Sequence, residues 1–155
     1  VGIGKSRSEI KTTLERYGTD AFRYSKREGL AIIEFAARDR HVRFVLPLPR
    51  RDETQFTTNR WGHERPADAA YKSWEQACRQ RWRALSLAIK AKLETVECGI
   101  AEFEDEFLAY VVDPATDRTV SEVIRPQLAA SYEGMRGEGL LLTDQRQRKN
   151  SARSG

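Results

Sequence analysis

AFRYSKREGLAIIEFAARDRHVRFVLPL, residues 21–48, is the stretch whose reading decides the fold. Three runs with strand character, Ala21–Ser25, Leu30–Ala37 and His41–Leu48, are separated by Lys26-Arg27-Glu28-Gly29 and Arg38-Asp39-Arg40. Connections this short join antiparallel neighbours, so the segment predicts a three-stranded meander. In the third run Val42, Phe44, Leu46 and Leu48 share one face, with His41, Arg43 and Val45 on the other; Pro47 and Pro49 suit a strand end.

Working outward, Ser6-Arg7-Ser8-Glu9 has capping-box spacing. Ile10, Leu14 and Tyr17 then share a helical face before Gly18, predicting a helix over 7–17 behind a frayed 1–5. Downstream, 49–66 has no periodicity and reads as a long loop. From Ala67 to Glu97 an apolar stripe of Tyr71, Trp74, Cys78, Trp82, Leu85, Ile89, Leu93 and Val96 predicts one long amphipathic helix. A second arc, Ala77, Ala84, Ala88 and Ala91, is small enough to admit another helix. Past Gly99, the residues Ile100, Phe103, Phe107 and Val111 predict a shorter helix ended by Asp113-Pro114. Thr119-Val120-Ser121-Glu122 opens a last helix through Tyr132, with Val120, Ile124 and Leu128 inward and Pro126 as a kink or a delayed start. Leu140–Leu142 is expected to pack once more. The expectation is therefore an α+β fold: N-terminal helix, antiparallel meander, long loop, long helix and two shorter C-terminal helices. It forms one domain over 6–142, followed by a disordered basic tail, 143–155.

The 155 residues are 39% hydrophobic and 32% charged, the balance of a globular chain with a highly charged surface. The net +4 conceals a sorted distribution: +9 over 1–92, −9 over 93–145 and +4 from Arg146 onward. Such sorting bears on partners and points first to a polyanion. No apolar run approaches the length of a membrane span and no leader segment stands at the start, so the expected setting is cytoplasmic, with no membrane partner. Cys78 and Cys98 lie too far apart along one helix to bridge. With His41 and His63 they have no metal-ligand spacing, so neither a zinc site nor any other cofactor is expected.

Several words of this chain are unusual: Val42-Arg43-Phe44-Val45-Leu46-Pro47-Leu48-Pro49, the run from Ala70 through Trp74-Glu75-Gln76-Ala77-Cys78-Arg79-Gln80-Arg81-Trp82-Arg83-Ala84-Leu85, and Glu104-Asp105-Glu106-Phe107-Leu108. Over residues 6–142 the chain resembles a family of small, uncharacterised proteins encoded by bacteriophages and prophages. The resemblance implies a phage origin and a host-cytoplasm setting, often among replication and recombination genes, and carries no catalytic or binding residues with it. The helix, three strands, helix order also resembles double-stranded-RNA-binding domains in topology alone.

Two features offer contacts to nucleic acid. Lys72, Arg79, Arg83 and Lys90 form a basic ridge along one face of the long helix, suited to backbone phosphates. The alternative is a charged face that keeps the helix soluble or pairs with the acidic segment. The loop carries Arg50, Arg51, Phe56, Arg60, Trp61, His63 and Arg65, a mixture that holds phosphates while bases stack on rings. Its alternative is a loop whose Phe56 and Trp61 tuck onto the core. Glu102, Asp105 and Glu106 have spacing that could hold a divalent cation, which keeps a small metal-dependent nuclease in view. His63 beside Glu64 could be a general base, yet no nucleophile or second group accompanies it. The leading expectation is a non-enzymatic nucleic-acid-binding protein, DNA before RNA. Its rival is a protein-interaction module: a homodimer or a binder of a host protein using charge-segregated helices.

Overall fold

The computed structural model describes residues 3–136. The basic tail, the Leu140–Leu142 segment and residues 1–2 lie outside them. The architecture is α+β. Helix α1 (Ile3–Arg16) leads into strands β1 (Ala21–Arg27), β2 (Leu30–Ala37) and β3 (Arg40–Pro47), which form an antiparallel sheet in the order β1-β2-β3. The first helix begins at Ile3, so Ser6 lies inside it, buried, instead of capping it.

The strands run closer together than composition suggests. Arg27 pairs with Leu30, and Ala37 with Arg40, leaving two-residue turns. Both central residues of each turn have positive φ: Glu28 (49°) and Gly29 (78°), then Arg38 (48°) and Asp39 (60°). This type I′ geometry follows the right-handed strand twist, and only one of the four positions is a glycine. Each non-glycine residue there costs up to ~1–2 kcal/mol, which the sheet must offset.

One sheet face is apolar. Ala31, Ile33, Phe35, Val42 and Phe44 are buried beneath α1 and the long helix α3 (Ala67–Glu97), which contributes Trp82, Ile89 and Leu93. Cys78, in α3, is buried, and burial raises its thiol pKa; Cys98, just past the helix, is exposed, and neither is bridged. Gly99 (φ 73°) breaks the chain there as expected.

The C-terminal third departs from the periodicity. Helix α4 is only Phe103–Phe107, followed by a 3-10 turn, Leu108–Tyr110. Phe107 packs edge-on against Phe35 (5.9 Å) and Phe44 (6.3 Å), and Tyr110 stacks on Phe44 at 4.2 Å, closing the end of the core. Val111 then becomes extended and bridges Val42, and strands β4 (Val112–Asp113) and β5 (Arg118–Thr119) form a small hairpin. The β-branched Val111-Val112 pair and the restriction Pro114 imposes on Asp113 both favour this path over helix. Ile100, expected inward, is 78% exposed.

Helix α5 (Val120–Met135) starts on the expected capping box, with the Thr119 and Glu122 side chains each bonding the other's backbone N–H. Pro126 sits inside it without ending it. The Glu122 carbonyl, which a residue other than Pro at 126 would bond, instead accepts from Arg118 Nη2 at 2.7 Å. The expectation that Ile124 and Leu128 face inward is overturned: they are 44% and 52% exposed, and α5 has no buried residue. The α3 alanine arc is likewise uncovered among the described residues, with Ala84, Ala88 and Ala91 exposed. Both misreadings have one cause: periodicity marks an apolar stripe but not what covers it.

Candidate nucleic-acid interface

The segment from 48 to 66 is a folded strap over the start of α3. Trp74 Nε1–H donates to the Pro49 carbonyl and Arg81 Nη1 to the Pro47 carbonyl, both at 2.7 Å, so α3 holds the exit of β3. A single helical turn, α2 (Thr54–Thr57), inserts Phe56, only 3% exposed. Thr58 and Glu64 then bridge, closing a tight turn. Asn59 braces it: its N–H donates to the His63 carbonyl at 2.8 Å, and its Oδ1 accepts from the N–H groups of Trp61 and His63, both at 3.0 Å. Gly62 supplies the positive φ (83°). The two aromatic residues therefore separate: Phe56 tucks inward, while Trp61 stands at the tip, 68% exposed, with the Arg60 guanidinium 4.2 Å from its ring centroid.

Behind this tip, Arg51 lies over Tyr71 (4.8 Å) and Trp74 (5.2 Å). Arg65 Nη1 donates to the Phe56 carbonyl at 3.3 Å. Together with Asp52, Thr57 and Glu64 these residues line a cleft of about 340 Å³. Arg50 is already engaged by Asp52 at 2.6 Å, and that hydrogen bond holds the Asp52 carboxyl below its ordinary value. The exposed His63 is held through its backbone, with no side-chain partner among the described residues.

Arg79 and Arg83 of the ridge line a second depression, a groove of about 700 Å³ between α3 and α1, with Lys5, Glu9, Gln76 and Gln80. Arg79 pairs with Glu75 at 3.3 Å, and its guanidinium also bonds the Gln76 side chain. Lys72, Arg83 and Lys90 form no ion pair among the described residues. The frayed end expected over 1–5 is instead helical from Ile3, and Lys5 pairs at 3.9 Å with Glu9, one turn on, at the rim of this groove.

The acidic segment folds back on the basic body, but elsewhere. Glu104 pairs with Arg40 at 3.0 Å, Glu106 with Lys92 at 3.2 Å, and Asp117 with Arg43 at 2.8 Å. Two of the three acids considered for a cation, Glu102 and Asp105, border a depression beside Arg38 and Arg40, while Glu106 turns to Lys92.

Sequence reading missed the most connected polar cluster. On the sheet face away from α3, Glu34 is 5% exposed. It accepts from Arg23 Nε (2.8 Å) and Arg43 Nε (2.9 Å), and meets His41 Nε2 at 3.0 Å. Burial pushes its carboxyl up, but the Arg23 and Arg43 hydrogen bonds outweigh that and leave it below the ordinary value. The available signal was an acid inside the apolar run Leu30–Ala37, opposite an arginine on each side once the register is drawn. The cluster is charge-compensated and joins all three strands. Comparison with family models, curated proteins and solved structures finds no match to this chain.

Proposed function

We propose that the protein binds nucleic acid without acting on it, as an accessory protein of phage replication or recombination. The observation that carries the reading is where the acidic segment goes. Three of its carboxylates, Glu104, Asp117 and Glu106, meet Arg40, Arg43 and Lys92, and Lys72, Arg83 and Lys90 are without an ion pair among the described residues. A row of uncompensated cations beside a groove suits a phosphate backbone. The braced Trp61–Arg60 pair supplies a ring on which a base can stack. The preference for DNA comes from the phage resemblance alone.

Fluorescence anisotropy with labelled single- and double-stranded DNA tests this. Four to six phosphate contacts give log Kd against log salt a slope of about 3 to 6 in magnitude. Arg79→Glu combined with Arg83→Glu should abolish binding while leaving the fold intact, because both side chains reach the surface. No binding at low salt would end the proposal.

A further inference from the structure

The groove between α1 and α3 is built from more than cations. Four of its α3 residues, Gln76, Gln80, Arg83 and Leu87, follow one another at helical spacing and form a single row. The row rises about 16 Å, the length of about five stacked nucleotides at about 3.4 Å each. Ser86 also lines the groove from α3, and Ser6 lines it from α1. Ser6 is only 6% exposed, and its hydroxyl has no hydrogen-bond partner among the described residues. Arg79 is fixed at the groove by Glu75 and by the side-chain oxygen of Gln76. Glu9, the one carboxylate among the described lining residues, is already paired with Lys5.

We propose that this groove takes a single strand with unpaired bases and not a duplex, an inference that rests on the nucleic-acid reading above and names the form of nucleic acid bound. Shape favours it. A ligand entering the groove faces two packed helices, α1 and α3, together about 20 Å across, whereas the major groove of a duplex is only about 12 Å wide. A duplex would therefore rest on the rims without bringing its base edges inside. Chemistry favours it as well. Phosphates need only Arg79 and Arg83, yet the amides of Gln76 and Gln80 and the hydroxyls of Ser6 and Ser86 share the groove with them. Amides and hydroxyls match the hydrogen-bonding edges of bases, and in a single strand the pairing edges are open. Leu87, 57% exposed, adds an apolar contact for a base.

Fluorescence anisotropy of the full chain with a labelled decamer, and with the same sequence as a duplex at the same salt, should show the single strand bound tenfold or more tightly. Ser86→Trp fills the groove without removing a cation and should erase that preference. Gln80→Ala, at an exposed position, should weaken the single strand about threefold, the worth of one hydrogen bond. A duplex bound as tightly as the strand overturns the inference and leaves the proposed function standing. No binding of either at low salt ends both. A preference that survives Ser86→Trp and Gln80→Ala alike also overturns it, because the preference then arises outside the groove. Should Ser86→Trp lower the melting temperature, Gln80→Ala alone decides.

Discussion

Replacing Glu34 by Gln tests what holds the sheet in register. The change keeps side-chain volume and removes the charge that Arg23, Arg43 and His41 share. The two arginines contribute unequally, because the Arg43 side chain is 17% exposed and Arg23 71%. A charge-assisted hydrogen bond in the shielded position is worth about 2 kcal/mol, and the exposed pair adds at most about 1 kcal/mol after solvent screening. Glu34→Gln should thus lose about 2–3 kcal/mol, a fall of about 4–12 °C in Tm for a chain of this size. Urea and thermal unfolding, followed by tryptophan fluorescence, measure it. A cycle with Arg43→Gln should return a coupling of about 1 kcal/mol or more, because the two groups touch.

The pH dependence has a definite sign. Glu34 is held below its ordinary value in the folded state, so the unfolded chain binds its proton more readily. Its contribution is complete above about pH 4.3 and is lost as pH falls through the folded value. The stability gap between wild type and Glu34→Gln should therefore narrow on acidification below that point. A gap under about 1 kcal/mol at neutral pH, or one that widens in acid, would refute the account of Glu34 as a desolvated, paired carboxylate.

Other perturbations probe separate parts of the molecule. Phe107→Ala removes a fully buried ring that meets Phe35 and Phe44, and should cost about 3–5 kcal/mol in urea unfolding. Thr119→Ala deletes the capping box and should destabilise α5 by about 1 kcal/mol. It should appear as faster amide exchange within α5, with the global midpoint nearly unchanged. Trp61→Ala should leave Tm within about 1 °C, because the ring is solvated, yet weaken single-stranded DNA binding about tenfold by anisotropy.

The meander, the long helix and the Thr119 cap were legible because each has a local cause: alternation, a sustained 3.6-residue period, a capping box. The turns were legible as turns but not as type I′, since Arg38 and Asp39 lack the usual Asn-Gly signature and take positive φ under the pull of the paired strands. Within the loop, Phe56 and Trp61 look alike in sequence. They diverge because α2 turns one inward while the Asn59 side chain locks the other outward. Glu34 needed the register, a non-local fact, before its partners could be named.

The charge sorting along the chain has a structural consequence that its totals conceal. Had the carboxylates of the acidic segment met the α3 ridge, its cations would be paired within the chain. Instead α4 and the β4–β5 turn sit at the β2–β3 turn, the outer face of β3 and Lys92, where Glu104, Asp117 and Glu106 find their partners. Compensation at those places serves folding, since it pins the C-terminal elements to the sheet and to α3. On the ridge Arg79 is paired with Glu75 of the same helix, and Lys72, Arg83 and Lys90 are left without an ion pair among the described residues. A phosphate contacting Lys72, Arg83 or Lys90 would therefore displace none of the ion pairs that hold α4 and the β4–β5 turn in place.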